Sequence, residues 1–407
     1  MVRLLGLQDK ANNIVSIITK NPSLYSLFII LQFLNYTVFK QTNNFFLNKD
    51  LHIKKILIAP LDWGLGHATR CIVLIQFLQQ LGCAVTVAAS GKIKKLLENE
   101  FPSITFLHLP GYEISYSKNK RYLAFKILLQ IPKILKTIRF EHNWLQKVQD
   151  KYGFDAVISD NRYGFYTTKT TSVFITHQLC IQTNISWLDS ILQRYNYRFI
   201  NRFTECWIPD LNEKLNIAGA LSHPQQLPAI PSKYIGPLSR LKKIDAATIS
   251  YKWIVIISGP EPQRSIFENK IFELAAGIPD KFIIIRGLPG ENEKKFISPN
   301  CTVFNHLNTK EMQDAIAHSE FVISRCGYTT VMEVLSLQKK AVFIPTPGQT
   351  EQEYLAQHLS AQNWCYTFNQ EDDFERQLKK AGSFNYTLPE IDTGQYKEVL
   401  SDFVKKL

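Results

Sequence analysis

The chain has 407 residues, a length that predicts two or three domains rather than one. With 45% hydrophobic and 20% charged residues, each domain can bury an ordinary core, which excludes intrinsic disorder and fibrous repeats. The seven cysteines are scattered and never form a Cys-x-x-Cys pair, so they indicate reduced thiols in a cytosolic protein rather than a disulfide framework or a zinc site.

The net charge of +12 is unevenly distributed along the chain. Residues 1–50 carry +3, residues 51–240 carry +11 and residues 241–407 carry −2. A basic half beside a near-neutral half indicates that the basic half meets something anionic, such as a membrane surface, a phosphorylated lipid or nucleic acid.

The first 50 residues differ in pattern from the rest. An uncharged run over residues 21–39 is diluted by polar residues, whereas a spanning helix needs about 20 mostly apolar residues. No small-residue cleavage site follows the run, as a signal peptide requires. We expect an extension outside the fold, either a surface-lying helix or a product of an upstream start codon.

Strand and helix patterns alternate from residue 53 onward, in two successive series. Short apolar runs predict strands over residues 55–59, 84–88, 104–107, 156–159, 173–176 and 206–209, and then over 253–257, 282–285, 302–304, 321–324, 341–344 and 364–366. Helical patterns fit between them at 68–81, 93–100, 265–276, 311–318, 330–337 and 352–361. Such alternation is typical of open parallel sheets. The prediction is an α/β protein with two doubly wound, Rossmann-like domains that face a cleft.

The same pattern predicts the domain boundaries. A first domain covers residues 51–237, a linker covers 238–252, and a second domain covers 253–407. The C-terminal helix is expected to pack back on the first domain. Ligands of such sheets lie at the carboxyl ends of the strands.

A glycine loop and a histidine follow the first strand. Gly64 and Gly66 permit a tight turn and close approach of a ligand, and His67 falls at the start of the next helix. Because a helix N-terminus disfavours an imidazolium, His67 is expected to stay neutral and to accept a proton. The alternative is a histidine that caps its own helix. Asp62, in the same loop, is the second candidate base.

Three loops of the second series also follow strand ends and open helices, so all four loops are expected to face one cleft. Their residues that suit an anion or a sugar hydroxyl are Ser258, Gly259, Arg264, Ser324, Arg325, Gly327, Thr329, Thr330, Glu333, Gln349, Gln352 and Glu353. Arg264 is expected to be free to meet an anion, and Glu333 to accept hydrogen bonds from a sugar diol. The structural alternatives are a proline-rich connector, N-caps and acids that offset helix dipoles.

Several other kinds of site find no sequence support. The chain has no GxxxxGK[ST], GxSxG or HExxH sequence and no Asp-x-Asp at a strand end. P-loop chemistry, hydrolase triads and a metal-held diphosphate are therefore disfavoured. No metal site and no cofactor is predicted.

The stretch from Ser324 to Glu333, continued through Pro345-Thr-Pro347 to the Gln352-Glu353 pair, resembles the nucleotide-sugar segment of the GT-B glycosyltransferases of family 28. The resemblance spans about residues 53–365 and is strongest over 321–360. It implies that residues 51–237 form an acceptor-side domain and residues 253–407 a nucleotide-sugar-binding domain. It implies that Glu333 binds ribose, that Gln352 and Glu353 contact the donor sugar, and that the backbone at His306-Leu307 reads uracil.

Gly64-Leu-Gly-His67 resembles the first glycine loop of the same family, which implies that His67 is the catalytic base. The Gly-x-Gly-His-x-x-Arg pattern is also similar to that of the UDP-sugar hydrolase of pseudaminic acid synthesis. Asp62-Trp63 in the first loop and Glu353 in the last depart from the family 28 pattern. Because of these departures, the resemblance does not identify the donor sugar or the acceptor.

The leading hypothesis is an inverting, metal-independent transferase that moves a hexose from a UDP-sugar to an acceptor hydroxyl, with a lipid or cell-envelope glycan as a candidate acceptor. Inversion is implied by the resemblance alone. The alternatives are a UDP-sugar hydrolase, a nucleotide-sugar 2-epimerase and a nucleic-acid-binding protein. The last is disfavoured because the basic half has no recognisable nucleic-acid motif or aromatic platform.

A basic and apolar segment predicts contact with a membrane surface. Between residues 114 and 140 there is no acid, and the seven cations are Lys118, Lys120, Arg121, Lys126, Lys133, Lys136 and Arg139. Pro132 is expected to break or kink the helix into two amphipathic pieces. Each cation near an anionic bilayer contributes about 1 kcal/mol, which predicts a cytoplasmic protein bound peripherally to the inner face of the plasma membrane. The alternative is a core-packing helix whose cations face water.

Overall fold

The chain contains two seven-stranded β-sheets. The structure is a computed structural model, and it describes residues 52–112, 129–182, 186–212, 215–244, 246, 248–289 and 294–407. Residues 54–407 form one compact unit. The predicted extension and the four cations from Lys118 to Lys126 lie outside the described residues.

The first sheet is entirely parallel, with strand order β3-β2-β1-β4-β5-β6-β7. Its strands are β1 (Lys55–Pro60), β2 (Ala84–Ala89), β3 (Thr105–His108), β4 (Ala156–Asp160), β5 (Thr171–Ile175), β6 (Glu205–Ile208) and β7 (Ser232–Tyr234). The helices between them are α1 (Leu65–Gln80), α2 (Gly91–Glu100), α3 (Ile131–Tyr152) and α4 (Ser186–Ile200). The near-continuous apolar runs in β1 and β4 fit a parallel sheet covered on both faces.

The second sheet is parallel except for its edge strand, with order β10-β11-β9-β8-β12-β13-β14. Its strands are β8 (Tyr251–Ile256), β9 (Phe282–Ile285), β10 (Lys294–Ser298), β11 (Cys301–Phe304), β12 (Ser319–Ser324), β13 (Lys340–Phe343) and β14 (Tyr366–Thr367). The remaining helices are α5 (Gln263–Gly277), α6 (Thr309–Ala317), α7 (Tyr328–Ser336), α8 (Thr350–Ser360), α9 (Phe374–Gly382) and α10 (Tyr396–Lys406). The predicted α/β class with two doubly wound sheets is confirmed.

The two sheets share apolar packing. One cluster joins Ala68 and Ile72 of α1 to Val331 and Met332 of α7. Helix α10 returns to the first sheet, where the ring of Phe403 lies 5.0 Å from that of Trp207 in an edge-to-face contact. The strand ends of both sheets are therefore held at fixed positions relative to each other within this unit.

Helix α3 begins where the sequence predicts an interruption. Pro132 lies in its first turn, where the missing N–H costs no helical hydrogen bond, and the helix then runs unbroken to Tyr152. The segment before Leu129 lies outside the described residues. Within the described part of the chain, every helix is too short or too polar to cross a bilayer.

Candidate active site

His67 and Asp160 meet at the carboxyl edge of the first sheet. His67 stands in the first turn of α1, and Asp160 ends strand β4, opposite Pro60 of β1. The Nδ1 atom of His67 lies 3.0 Å from Oδ1 of Asp160. Arg70, one turn further along α1, donates from Nε to the second carboxylate oxygen at 2.7 Å and from NH2 to the first. Asp160 is fully buried and is held by these two neighbours.

The electrostatics of this group favour a neutral imidazole beside an ionised carboxylate. Burial lowers the pKa of His67 below its usual value, the charge of Asp160 opposes this, and Arg70 adds to the lowering. Burial alone would raise the pKa of Asp160, but the charge of Arg70 and the hydrogen bonds from Arg70 and His67 hold it well below its usual range. The NH2 group of Arg70, 2.9 Å from Nδ1 of His67, donates to Oδ1 of Asp160. The carboxylate can only accept, so the neutral imidazole that donates to it from Nδ1 keeps Nε2 as a proton acceptor.

Asp62 is a poorer candidate base than the sequence suggests. Its Oδ1 accepts a hydrogen bond from the backbone N–H of Tyr112 at 3.0 Å, and its other oxygen lies against Gly111. Arg162 approaches the same carboxylate at 3.9 Å. Asp62 therefore braces the loop after β3, whereas Asp160 is the carboxylate that contacts His67.

The loops of the two sheets touch directly at Gly66 and Thr329. A methyl group on Gly66 would come within 2.9 Å of the Thr329 hydroxyl, so only glycine fits there. Nearby, Leu65 lies close to Gly287, which follows β9 with a positive φ of 68°. The loops after β1 and β12, two of the four expected to face one cleft, therefore meet, and the turn after β9 lies beside them.

A second contact between the sheets involves His177, two residues after β5. Its Nε2 lies 2.9 Å from Oε1 of Glu351 in the first turn of α8, and its Nδ1 lies 3.3 Å from NH1 of Arg70. The imidazole stacks on the ring of Tyr328 with 4.1 Å between centroids. A continuous polar chain thus runs from Glu351 to His67.

Helix α7 begins at the cleft with its first N–H groups uncapped by any side chain. Gly327 is the N-cap, and the first turn, which holds Thr329 and Thr330, contains no acid. Ser324 is buried, and its hydroxyl donates to the carbonyl of Arg325 at 3.0 Å. An uncapped helix N-terminus without an acid suits an anion through its backbone N–H groups.

Arg325 is a structural residue rather than an anion ligand. Its side chain is 1% exposed and donates to the carbonyls of Ile344 and Pro345, both at 3.3 Å. It also bonds Gln370 and stacks over Phe267 at 4.2 Å. Burial lowers its pKa to about 9. The guanidinium ties the loops after β12 and β13 together beneath the cleft.

The expectation that Arg264 is free to meet an anion is wrong. Its Nε donates to Glu261 at 2.6 Å and its NH1 to Glu268 at 3.1 Å, so the guanidinium is already paired twice. Glu268 in turn binds Arg286 after β9. In the same loop Gly259 has a φ of 109°, a conformation that favours glycine, and Ser258 is partly exposed.

Glu333 is nearly buried and bonded to Arg240, which precedes β8. The Nε atom of Arg240 donates to Oε1 of Glu333 at 3.1 Å, and its NH1 donates to Thr309 at 3.2 Å. Burial lowers the pKa of His306, and the charge of Arg240 lowers it further, so the His306-Leu307 turn lies near Arg240. Glu333 and the predicted uracil-reading turn therefore share Arg240 as a neighbour.

The residues predicted to hold the donor sugar brace the loop over residues 345–353, here called the donor loop. Gln352 accepts from the N–H of Thr346 at 2.9 Å and bonds Gln349, while Glu353 accepts from the N–H of Gly348 at 2.8 Å. The loop keeps its shape through its own side chains. Its first-turn acid Glu351 reaches across to His177.

The sequence patterns do not indicate Asp160 or His177, and Arg70 enters them only as the arginine of the Gly-x-Gly-His-x-x-Arg pattern, without a role of its own. The available signal was position, because both Asp160 and His177 follow strands whose carboxyl ends face the cleft. Their partners are 93 and 174 residues away along the chain, so no local pattern indicates them.

Residues 268–385 match the model of the "Glycosyltransferase family 28 C-terminal domain", which includes the N-terminus of α7, Glu333 and the donor loop. Residues 268–385 therefore resemble the C-terminal domain of the family 28 glycosyltransferases. The resemblance seen in the sequence is thereby confirmed.

Two relatives extend the similarity into the first sheet. An "Uncharacterized glycosyltransferase" of Methanosarcina acetivorans is 25% identical over 325 residues, which cover 74% of this chain and 81% of the relative. A relative from Haemophilus ducreyi is 25% identical over 315 residues with the same coverage, and is named "UDP-N-acetylglucosamine--N-acetylmuramyl-(pentapeptide) pyrophosphoryl-undecaprenol N-acetylglucosamine transferase". The prediction that this protein is a glycosyltransferase is confirmed.

The fold of this glycosyltransferase also matches solved structures. The "Spinosyn Rhamnosyltransferase SpnG complexed with thymidine diphosphate" superposes with a TM-score of 0.56 at 12% identity. The match covers 87% of this chain and 96% of that one. At this identity the similarity establishes the GT-B architecture of two facing sheets.

Proposed function

We propose that this glycosyltransferase moves a hexose from a UDP-sugar to an acceptor hydroxyl, with inversion at the anomeric carbon and without a metal ion. The observation that carries the proposal is the His67–Asp160 pair, which faces the loops of the family 28 domain across the cleft. The name of the Haemophilus ducreyi relative supports UDP as the nucleotide.

On the donor side, the uncapped N-terminus of α7 receives the diphosphate. Backbone N–H groups after Gly327 and the positive end of the helix dipole stabilise the negative charge that develops on UDP as it leaves. Glu333 accepts from the ribose hydroxyls, and the donor loop with Gln352 and Glu353 lies against the sugar. Arg325 contributes indirectly, because it fixes the two loops from below.

On the acceptor side, His67 acts as the general base. Its Nε2 takes the proton of the acceptor hydroxyl while the oxygen attacks the anomeric carbon from the face opposite UDP. Asp160 holds the imidazole in the tautomer that leaves Nε2 unprotonated and stabilises the imidazolium that forms. One displacement with these groups inverts the anomeric configuration.

The acceptor is proposed to be lipid-linked, because α3 and α4 present an apolar and basic surface. Ile134 and Ile138 of α3 share a cluster with Phe199 of α4, so the two helices are neighbours. The exposed face of α4 carries Trp187, Ile191 and Tyr195 at 66%, 46% and 56% exposure. The exposed face of α3 carries Ile131, Lys133, Leu135, Lys136 and Arg139, and Leu129 is exposed just before the helix begins. Apolar side chains beside exposed cations suit the cytoplasmic face of an anionic bilayer.

Vesicle flotation tests the membrane part of the proposal. The variant combines Lys133→Gln, Lys136→Gln and Arg139→Gln, and its control removes the same charges from α9 with Arg376→Gln, Lys379→Gln and Lys380→Gln. We expect the wild type and the control to float with phosphatidylcholine vesicles that contain phosphatidylglycerol, and the α3 variant to float less. Equal flotation of all three proteins contradicts a role for α3.

Release of UDP tests the reaction itself. The protein is incubated with a panel of UDP-hexoses, with and without a lipid extract, and UDP is measured. The proposal expects UDP release that depends on the extract, together with a glycosylated lipid in mass spectra. Release at the same rate without extract identifies a UDP-sugar hydrolase instead, and no release with any donor contradicts both.

A further inference from the structure

His177 has contacts on both sides of the cleft, and their chemistry fixes its protonation. Arg70 can only donate, so the His177 Nδ1 that lies 3.3 Å from it accepts. The Nε2 atom, 2.9 Å from a Glu351 carboxylate oxygen, then carries the proton and donates it. One neutral tautomer satisfies both partners at once.

Arg70 links His177 to His67, the proposed base. The same guanidinium donates from NH1 to His177 and from Nε and NH2 to Asp160, and its NH2 lies 2.9 Å from Nδ1 of His67. Because the guanidinium is planar and rigid, a change in direction at NH1 moves the groups that hold Asp160. His177 therefore bears on His67 without touching it.

Glu351 links His177 to the donor loop. It lies in the first turn of α8, directly before Gln352 of the donor loop. Burial would raise the pKa of Glu351, but the contact with His177 and the charge of Arg70 lower it, so the carboxylate stays ionised in the contact. Its seat against His177 depends on the position of the donor loop.

The loops of the two sheets also touch beside this contact. A Cβ at position 66 would lie 2.9 Å from the Thr329 hydroxyl, so the loop after β1 packs directly on the first turn of α7. Contacts of α8 with the first sheet, such as that of Tyr354 with the N–H of Ala220 at 2.7 Å, lie on the same side as Glu351.

We propose that His177 is a positioning residue that couples the seating of the donor loop, through Glu351 and Arg70, to the orientation of the His67–Asp160 pair. The inference rests on the proposed function and deepens it. His67 is held in its working orientation only when Glu351 is docked on His177. Acceptor activation is thereby tied to a correctly placed donor loop.

A double-mutant cycle tests the coupling with His177→Ala, Glu351→Ala and the double variant. Each single change is expected to lower kcat by roughly 10- to 100-fold, the scale of one charge-assisted hydrogen bond, with a smaller effect on the donor KM. The double variant is expected to lose no more than the worse single variant. Losses that multiply independently overturn the coupling.

The matched control is His142→Ala, which removes another histidine stacked on a tyrosine ring. His142 stacks on Tyr166 at 4.2 Å and bonds its carbonyl, away from the Arg70 network. This variant is expected to keep kcat within twofold of the wild type. Melting temperatures of all variants separate a loss of fold from a loss of coupling.

A readout without turnover separates this inference from the proposed function. Histidine-selective NMR follows the titration of His67 in the wild type, His177→Ala and Glu351→Ala. We expect the His67 midpoint to rise in His177→Ala, because a loosened contact admits water to a ring whose pKa is lowered by burial. In Glu351→Ala the same loosening is opposed by the loss of a negative charge near His67, so the rise there is expected to be smaller. If the protein proves to use no UDP-sugar but the His67 midpoint still shifts in the variants, the coupling stands and only the proposed function is overturned. An unmoved midpoint in both variants overturns the coupling.

Discussion

The Nδ1 atom of His67 lies 3.0 Å from Oδ1 of Asp160, across the space between the first turn of α1 and the end of β4. The two residues are 93 positions apart, and the parallel pairing of β1 with β4 brings them together, with Pro60 opposite Asp160. A buried carboxylate against one imidazole nitrogen leaves the other nitrogen to act on a substrate.

Asp160→Asn is expected to lower kcat by roughly 10²–10⁴-fold with little change in UDP affinity. The amide can donate to His67 and so favours the tautomer that protonates Nε2, the atom needed as base. Steady-state kinetics and calorimetry with UDP measure the two quantities. The control is Asp155→Asn at the opposite end of β4, where the carboxylate accepts from the N–H of Lys55. Unchanged kcat in Asp160→Asn contradicts the assignment.

The acid limb of the kcat–pH profile is expected below pH 6.5, the ordinary pKa of histidine. Burial lowers the pKa of His67, so the imidazole remains unprotonated, and active, at a pH where a solvated histidine is half charged. Activity is then lost as the pH falls through the lowered value. A limb at or above 6.5 in the wild type contradicts a buried His67 as the base.

Glu333→Ala is expected to weaken UDP-sugar binding by roughly 1–3 kcal/mol, because the ribose hydroxyls lose an acceptor. Glu333 also bonds Arg240, so the variant leaves that guanidinium without one partner. Arg240→Met is the control, since it breaks the same ion pair and keeps the carboxylate. Calorimetry that gives equal losses for both variants contradicts direct contact of Glu333 with the ribose.

A chain that starts at His52 is expected to fold and to keep its activity. Residues 54–407 form a compact unit whose first strand begins at Lys55. Soluble yield, melting temperature and UDP release compare it with the full chain. Insoluble protein after this truncation contradicts the interpretation of the first 50 residues as an extension outside the fold.

The sequence predicts the sheets well because most of their strands are short apolar runs. Helical patterns separate these runs, as they do between β8 and β9. It places Gly66 and the N-terminus of α7 at the cleft because both follow strand ends. Strands β7 and β10 were missed, since one has three residues and the other is an antiparallel edge.

The roles of single charged side chains could not be predicted in the same way. Arg264 and Arg325 have the charge of an anion ligand. Arg264, however, is paired with Glu268. Arg325 is buried, and it donates to Gln370 and to the carbonyl of Ile344. Two of those partners come from other segments of the chain. A cation near a strand end is thus a candidate until the tertiary structure shows what it binds.

The central claim is that one side of the cleft binds the donor while His67 on the other side activates the acceptor. The most direct measurement compares the wild type with His67→Ala for UDP affinity by calorimetry and for acceptor-dependent UDP release. The account predicts nearly equal affinity and a loss of roughly 10²–10⁴-fold in release, as for the removal of a general base. Loss of UDP affinity in the variant, or release equal to that of the wild type, contradicts it.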